Sequence, residues 1–569
     1  MNGTVRIGNV TKHYGRLKAV TDVSFDLGEG EMVALIGHNG AGKTTLMKLM
    51  LGLIRPTGGS IEVLGDNPAA GEFAGRRQLG YLPENVSFDA ALTGRETQTF
   101  YARLKRKPVA KALELLNAVG LGAAATRRVS TYSKGMRQRL GLAQALIGRP
   151  RVLLLDEPTT GLDPELRQTF YEVIQRLAAG GTTVLLSSHA LTELEERAGR
   201  FDRATAQHRT VANQDQAQGR GPRARRGAVL AARERALPAA ERPHRRDRRR
   251  AEAKNRAPAL RHSGGDRARG FRRRGAQSRR TLCALSETSG GDAMNGVLTV
   301  ARKEIRQAVR NRWVLASTLL LATLALSLTF LGSAPTGTVS VRALDVVIVS
   351  LSSLTIFLIP LIALLISHDA IVGDMERGTM LLLLSYPVAR WQVLLGKFLG
   401  HLAVLAFATC LGYSLAAAAL VATGSRIDHD SLAAFVAMIG SSVLLGAVFV
   451  AIGYLVSALV RDRGTAAGIS IGLWLLLVLI YDMALLGMLA LDQGRNISAT
   501  ALNAMLLFNP TDVYRLFNLT GFANVSAFAG MAGLAQSTSL SVQVLLLVLT
   551  LWTLVPLGFA ALAFSRREL

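Results

Sequence analysis

The fold of the first third of this chain is indicated by one glycine-rich stretch, Gly37-His38-Asn39-Gly40-Ala41-Gly42-Lys43-Thr44-Thr45. It follows a short apolar segment, Met32–Ile36, and opens a helical pattern at Lys43. A strand, a glycine-rich turn and a helix in this order point backbone N–H groups inward at a helix N-terminus, where anionic oxygens are stabilised. The stretch therefore predicts a phosphate-binding loop, with Lys43 reaching the β- and γ-phosphates and the Thr44 hydroxyl available to Mg²⁺.

Two carboxylates follow a second apolar segment of the same kind, Val152–Leu155. Asp156 suits the outer coordination sphere of Mg²⁺, and Glu157 is placed to orient or deprotonate an attacking water. Alone, such a pair could be a solvated strand end. Together with the phosphate loop it predicts a nucleotide-hydrolysing site. Short buried strands alternate with helical patterns here, which predicts an α/β domain with a mainly parallel sheet.

The composition excludes an ordinary soluble protein for the whole chain. Of its 569 residues 49% are hydrophobic and 19% charged, and the mean hydropathy is +0.27. Two cysteines, Cys283 and Cys410, cannot build a disulfide framework or a zinc cluster. Six apolar runs are long enough to cross ~30 Å of hydrocarbon as helices. They span residues 313–332, 346–367, 393–422, 432–460, 464–490 and 542–565.

Basic residues in the short loops predict the orientation of these six spans. The side that carries both ends of the membrane part holds 11 Lys and Arg residues and the opposite side holds 4. Because positive loops stay in the cytoplasm, both ends of this part are expected there. The half-polar segment 491–541 is expected at the outer interface.

Residues 200–292 differ from both flanks. They hold 24 Arg and 1 Lys against 9 acidic residues, a net charge of +16 out of the chain's +26. Like charges at this density cannot bury a core. Three interpretations stand side by side: a stretch of a GC-rich gene read out of frame, an Arg-rich disordered linker, and a basic arm for nucleic acid or anionic lipid. Neither flank is strongly basic, so no nucleic-acid partner is expected.

Further motifs carry a family resemblance over about 150 residues. Tyr132-Ser133-Lys134-Gly135-Met136 precedes the Asp156-Glu157 strand, and Gly161-Leu162-Asp163-Pro164 and Ser187-Ser188-His189 follow it. With the phosphate loop, this order resembles the ATPase domain of ATP-binding-cassette (ABC) transporters. The resemblance implies that two such domains close two ATP molecules between them, head to tail.

The same resemblance implies a role for each matching residue. Tyr14 would stack on adenine, and His189 would hold the γ-phosphate and the attacking water. Ser133 and Gly135 would contact the γ-phosphate bound by a second protomer, and Asp163 would line that interface. Glu84 stands where the family usually has Gln and would still sense Mg²⁺.

The membrane part resembles the type-2 ABC permeases. The resemblance rests on Asp374-Met375-Glu376-Arg377-Gly378-Thr379-Met380 with Tyr386, which match the cytoplasmic loop that docks on the ATPase in that family. Residues 296–312 would be the amphipathic helix before the first span. Asp369, Asp374 and Glu376 are interpreted as part of this coupling rather than of a proton path. His368, His401, His429 and Cys410 are too scattered to predict a metal path.

Two more stretches narrow the resemblance. Ser367–Gly373 and Asn509-Pro510-Thr511-Asp512-Val513-Tyr514-Arg515-Leu516 are similar to the permease of transporters that serve maturation of nitrous oxide reductase. That family is associated with assembly of a copper–sulfur centre and works with a periplasmic partner protein. Its ATPase and permease are usually separate chains, which would make Met294 a native permease start.

The expected protein is therefore an ABC ATPase of α/β P-loop fold followed by an all-α six-span permease. Its expected domains are the ATPase at 1–203, the Arg-rich segment at 204–293 and the permease at 294–569. A homodimer, or two ATPase and two permease chains, would sit in the bacterial inner membrane and use ATP and Mg²⁺. Two alternatives stay open: an exporter of drugs, lipids or polysaccharides, and an ATP-driven device that moves a periplasmic partner without transport.

Overall fold

The computed structural model describes residues 4–70, 75–188, 210–212, 290–332, 343–423, 428–492, 497–520 and 540–568. The described residues of 1–211 and 294–569 pack into one compact unit. Of the Arg-rich segment predicted at 204–293, only 210–212 and 290–293 belong to the described residues.

Two sheets build the N-terminal domain. The antiparallel sheet has the order β2-β1-β4 and consists of Val5–Tyr14 (β1), Leu17–Leu27 (β2) and Gly58–Val63 (β4). The second sheet has the order β5-β6-β7-β3-β8. Its strands are Met32–Ile36 (β3), Leu79–Leu82 (β5), Val152–Leu155 (β6), Thr183–Ser188 (β7) and Thr210–Ala212 (β8).

Four of these strands are parallel and nearly fully buried, as their continuous apolar runs predict. Leu82 is opposite Leu155, Leu155 is opposite Leu186, and Ile36 is opposite Ser188. The carboxyl ends of β3, β5, β6 and β7 therefore share one edge. The described α-helices of this domain are Lys43–Met50 (α1), Gly94–Leu104 (α2), Val109–Ala118 (α3), Lys134–Ala145 (α4) and Pro164–Ala179 (α5).

Helices make up the described membrane part. They are Gly290–Val309 (α6), Arg312–Gly332 (α7), Ala343–Ser367 (α8), Val372–Glu376 (α9), Thr379–Leu384 (α10), Arg390–Ala422 (α11), His429–Leu459 (α12), Arg463–Leu475 (α13), Tyr481–Asp492 (α14), Ala499–Leu507 (α15), Pro510–Thr520 (α16) and Val542–Arg566 (α17).

Within the described residues, five helices are long and apolar enough to cross a membrane, or six if the bent pair Met294–Val309 and Val314–Phe330 counts as one span. That pair bends by 69°. The buried residues of α6 recur every three or four positions, at Val297, Val300, Ala301, Glu304 and Ala308. This spacing makes α6 the amphipathic helix predicted before the first span.

The fifth apolar run contains a feature that hydropathy does not reveal. Between α13 and α14 the helix widens into a π-helix at Leu476–Ile480. A π-helical turn frees backbone carbonyls from the ordinary ladder, and Leu477 O accepts from Asn509 Nδ2 at 2.9 Å and from Thr511 Oγ1 at 3.3 Å. The segment around Asn509, expected at the outer interface, is therefore packed into the helix bundle at this point.

Candidate active site

The carboxyl edge of the parallel sheet gathers the residues on which the sequence prediction depends. Lys43 begins α1 just after β3, Asp156 and Glu157 follow β6, and Ser187 lies near the end of β7. The backbone N–H of Asp156 donates to Leu82 O at 2.8 Å, which fixes the end of β6 against β5. Ligands of open α/β sheets bind at this edge.

Glycine is required at one position of the phosphate loop. Gly42 has φ = 86°, and a Cβ there would lie 2.3 Å from Ala19 O on the neighbouring strand β2. The loop backbone therefore turns tightly into α1, with Gly40 also at φ = 90°. Lys43 Nζ donates to Gly37 O at 2.7 Å and to His38 O at 3.2 Å, so the ammonium lies inside the curve of the loop.

Lys43 and Glu157 meet at this edge, as their motifs predict. Lys43 Nζ lies 3.5 Å from Glu157 Oε1, and both side chains are only 9% exposed. Glu157 has φ = 44°, in the left-handed region that a non-glycine residue seldom occupies. Backbone strain of this kind collects at functional sites.

Ser187 forms hydrogen bonds with both acidic residues, a role that the sequence motif did not reveal. Its hydroxyl donates to Asp156 Oδ1 at 2.7 Å and accepts the backbone N–H of Glu157 at 2.8 Å. Ser187 is fully buried. A single hydroxyl therefore fixes the side chain of one acidic residue and the backbone of the next.

The other oxygen of Asp156 fits a bound cation. Asp156 is 1% exposed, and its Oδ2 has no hydrogen-bond partner within the part of the chain that the structure describes. A buried carboxylate oxygen is costly unless it is paired or coordinates a metal. Thr44 is half-buried in the first turn of α1, and Glu84 is exposed two residues after β5.

The residues whose roles the family resemblance implies lie in several places. Ser133 and Asp163 are exposed and cap helices: Ser133 Oγ accepts from Met136 N at 3.2 Å and Asp163 Oδ1 from Leu166 N at 2.9 Å. Lys134 lies beside Gly161, so the two turns adjoin. Half-buried Gly135 belongs to the first turn of α4. Tyr14 ends β1, and its side chain lies beside that of Thr45. His189 lies outside the described residues.

A coupling joint connects this domain to the membrane helices. We define it by Tyr386, which follows α10, and its partners Tyr101, Lys105 and Gln144. Tyr386 is 2% exposed, its hydroxyl donates to Gln144 O at 3.2 Å, and its ring centroid lies 4.7 Å from that of Tyr101. The loop predicted to dock on the ATPase therefore inserts an aromatic ring between α2 and α4.

A buried charge network lies beside the joint and comprises Asp89, Lys303, Glu304, Asp374 and Lys397. Lys397 Nζ lies 2.8 Å from Glu304 Oε1 and 2.8 Å from Asp374 Oδ2. Lys303 Nζ lies 3.2 Å from Glu304 and 3.1 Å from Asp89, a residue of the N-terminal domain. The network thus joins that domain to α6, α9 and α11. Of the carboxylates interpreted as coupling residues, Asp374 belongs to this network.

The other two carboxylates interpreted as coupling residues, Asp369 and Glu376, form ion pairs. Glu376 Oε2 lies 2.9 Å from Arg463, and Asp369 lies 3.7 Å from Arg377. His401 Nε2 lies 3.6 Å from Glu304, and its Nδ1 is hydrogen-bonded to Tyr454 at 3.0 Å. Among the described residues, no group of three His, Cys, Asp or Glu side chains is arranged to hold a metal ion.

A second ion pair crosses the same boundary. Arg310 donates to both oxygens of Glu96 at 2.6 and 2.8 Å and to Ala91 O at 3.1 Å. Partial burial alone would raise the pKa of Glu96, but the hydrogen bonds from Arg310 and Thr93 hold it at about 2. The stabilising contribution of this carboxylate is therefore complete above its ordinary pKa and is lost as the pH falls towards 2.

Comparison with known proteins identifies both halves. A family model described as "ABC transporter" matches residues 20–160, and one described as "ABC-2 family transporter protein" matches residues 298–569. Over 274 residues the chain is 46% identical to "Probable ABC transporter permease protein NosY" of Pseudomonas aeruginosa, covering 48% of this chain and 99% of that protein. The chain belongs to the ABC transporter family.

The ATPase half of this ABC transporter has its own relatives. It is 39% identical over 201 residues to "Daunorubicin resistance ATP-binding protein DrrA3" of Streptomyces coeruleorubidus, and the match covers 35% of this chain and 64% of that protein. The chain thus spans less than two thirds of this ATP-binding relative. A solved "Structure of ATP binding subunit of ABC transporter" is 32% identical, with a TM-score of 0.32, over 34% of this chain and 82% of that one.

These matches establish the broad activity of the chain. It is a multi-pass membrane protein with an ABC-type ATPase domain on the cytoplasmic side, and ATP hydrolysis is coupled to transport. The α/β P-loop domain and the helical membrane domain expected from the sequence are both confirmed.

The coupling joint of the transporter contains a lysine that we expect to make stability depend on pH. Lys105 is 3% exposed, donates to Ile147 O at 2.9 Å and lies 5.7 Å from the Tyr386 ring centroid. Burial and the neighbouring Lys107 lower the pKa of Lys105 to about 7. Above pH 7 the folded state releases a proton that the unfolded state keeps, so stability should rise with pH by up to ~1.4 kcal/mol per unit.

This expectation is checked by the melting temperature of the purified transporter between pH 7 and 9. Lys105→Met should remove this part of the pH dependence, whereas Lys111→Met, at an exposed position on α3, should keep it. An equal pH dependence in Lys105→Met and the unchanged chain would show that Lys105 stays protonated in the folded state.

Proposed function

We propose that two copies of this chain form one transporter in which two ATP molecules are enclosed between the paired ATPase domains. The exposed helix caps Ser133 and Asp163 support this pairing, because they place two helix N-termini at the surface, where a nucleotide bound by the other copy could approach them. The Lys43–Glu157 pair would form the other wall of each site.

Each residue of the site has a proposed role in hydrolysis. Lys43 would neutralise charge on the β- and γ-phosphates, Glu157 would take the proton of the attacking water, and Tyr14 would stack on adenine. His189 keeps its predicted role of holding the γ-phosphate. Thr44, Asp156 and Glu84 would hold Mg²⁺, and the unpartnered Asp156 Oδ2 supports this assignment. When bound, Mg²⁺ would neutralise charge on the phosphate oxygens.

For the biological role, we propose assembly of the copper–sulfur centre of nitrous oxide reductase together with a periplasmic partner protein. The observation that supports it is the 46% identity over 99% of a NosY permease. The stretches at Ser367–Gly373 and Asn509–Leu516, which carry the narrower resemblance, lie within residues 298–569 that the ABC-2 family model matches.

Export of drugs is the second candidate. It is supported by the ATPase half, whose relative is named for daunorubicin resistance. The ATPase half transmits force in any ABC transporter, whereas the membrane half contacts whatever crosses the bilayer. We therefore give more weight to the membrane half, which favours the maturation role.

Complementation distinguishes the two candidates. The full chain is expressed in a denitrifying bacterium whose own permease of this kind has been deleted, and consumption of nitrous oxide is measured. We expect consumption to return, and the Glu157→Gln chain to leave it absent. The maturation role is wrong, and export is supported, if three results are found together. Nitrous oxide consumption stays absent, the purified chain hydrolyses ATP, and cells that express the chain become resistant to daunorubicin.

A further inference from the structure

The segment after the last membrane helix returns to the ATPase domain. Glu568, which follows α17, accepts a hydrogen bond from Lys12 Nζ at 2.7 Å. The Lys12 side chain is only 5% exposed, and that of Glu568 is 51% exposed. Among the described residues, no other carboxylate lies within 4.0 Å of this ammonium. A buried lysine without a carboxylate is costly, so Glu568 determines where Lys12 can lie.

Lys12 in turn contacts the residue proposed to stack on adenine. Its Nζ lies 4.8 Å from the centroid of the Tyr14 ring. Burial and then the charge of Glu568 raise the pKa of Tyr14, while the side-chain hydrogen bond with Thr45 lowers it. One chain of contacts therefore runs from Glu568 through Lys12 and Tyr14 to Thr45, which belongs to the phosphate loop.

The position of Glu568 is tied to the membrane helices. Arg390, the first residue of α11, donates to Phe564 O at 2.7 Å and to Arg567 O at 2.5 Å. Arg567 donates to Ser457 O and Ala458 O, both at 3.2 Å, at the end of α12. A shift of α11, α12 or α17 would therefore move Glu568 with it.

Arg390 also reaches the ATPase domain directly. It donates to Leu53 O at 3.3 Å, just beyond the end of α1. Arg390 therefore contacts both the tail that carries Glu568 and the residues that follow α1, the helix that begins at the phosphate loop. The tail and α11 therefore contact the ATPase domain at two places, at Lys12 of β1 and at Leu53 after α1.

We infer that Glu568 is a positioning residue for ATP: through Lys12 it places Tyr14, and so it links nucleotide affinity to the position of the last membrane span. This link is separate from the coupling joint at Tyr386. It rests on the proposed adenine contact of Tyr14.

Steady-state ATP hydrolysis by the full chain in lipid nanodiscs tests the inference. Glu568→Gln should raise KM for ATP about fivefold, which corresponds to ~1 kcal/mol, the size of a partly buried cation–π contact, while kcat stays within about twofold. Glu568→Asp should recover part of the affinity. Lys12→Met should raise KM to a similar extent, and Glu568→Gln should add nothing further in that background, because both changes interrupt one path.

Two further variants separate the outcomes. Glu62→Gln is the matched control, because Glu62 forms an exposed ion pair with Arg6 at 3.8 Å, and it should leave KM unchanged. Tyr14→Ala tests the proposed adenine contact itself. If Tyr14→Ala leaves KM unchanged, the adenine role is wrong. If Tyr14→Ala raises KM but Glu568→Gln only lowers the melting temperature or kcat, the adenine role stands and the positioning role of Glu568 is overturned.

Discussion

A Glu157→Gln chain should bind ATP and fail to hydrolyse it. The substitution keeps the size of the side chain beside Lys43 Nζ, 3.5 Å away in the native chain, but it removes the group that would accept the proton of the attacking water. Loss of a general base costs about 10²–10⁴ in rate, so kcat should fall by about 10³. ATP should stay enclosed, and the chain should elute as a nucleotide-loaded dimer in gel filtration.

Glu172→Gln, on the exposed side of α5, is the matched control and should hydrolyse ATP at the native rate. Lys43→Ala should lose bound nucleotide and turnover together, in contrast to Glu157→Gln, which should keep the nucleotide and lose only turnover. If Glu157→Gln keeps more than about a tenth of the native kcat, or if it never retains ATP in a dimer, the proposed paired site is wrong.

The Lys397→Met chain should be strongly destabilised. Lys397 lies between Glu304 and Asp374 at 2.8 Å from each, and its side chain is 4% exposed. Removing one member of a buried ion pair costs ~3–5 kcal/mol because the opposite charge stays buried. Lys303 compensates only part of the remaining negative charge. We expect the melting temperature of the purified transporter to fall by about 5–10 °C.

The double variant Lys397→Met/Glu304→Gln shows whether the cost is electrostatic. Replacing both charges of a buried pair is often nearly neutral, so the double variant should melt at a higher temperature than Lys397→Met alone. A double variant that is less stable than Lys397→Met would mean that packing of the lysine stem, rather than charge, determines stability here.

Much of the nucleotide site could be predicted because its residues belong to local patterns. The strands at Met32–Ile36 and Val152–Leu155 are continuous apolar runs, and the structure has them with the same bounds. Parallel strands end at one edge of a sheet, so residues that follow them, such as Lys43 and Glu157, meet without any long-range information. The amphipathic helix before the first span, by contrast, was expected from the permease resemblance, and the spacing of the buried residues of α6 agrees with it.

Contacts between the two halves could not be predicted. Tyr386 meets Gln144 and Glu568 meets Lys12 across hundreds of residues, and no periodicity in the sequence pairs them. Buried polar residues such as Lys397 look like interruptions of an apolar run until their carboxylate partners are placed beside them. The π-helix at Leu476–Ile480 could not be predicted, because hydropathy depends on composition and not on the pattern of backbone hydrogen bonds.

The buried charge network has a consequence for biogenesis. Asp89 of the soluble part and Lys303 of the membrane part form an ion pair at 3.1 Å. An ATPase part produced without its membrane counterpart would expose Asp89 and the pocket for Tyr386 to water. Because complementary charges and a buried aromatic contact cross this boundary, we expect two separately translated halves to assemble without a covalent link.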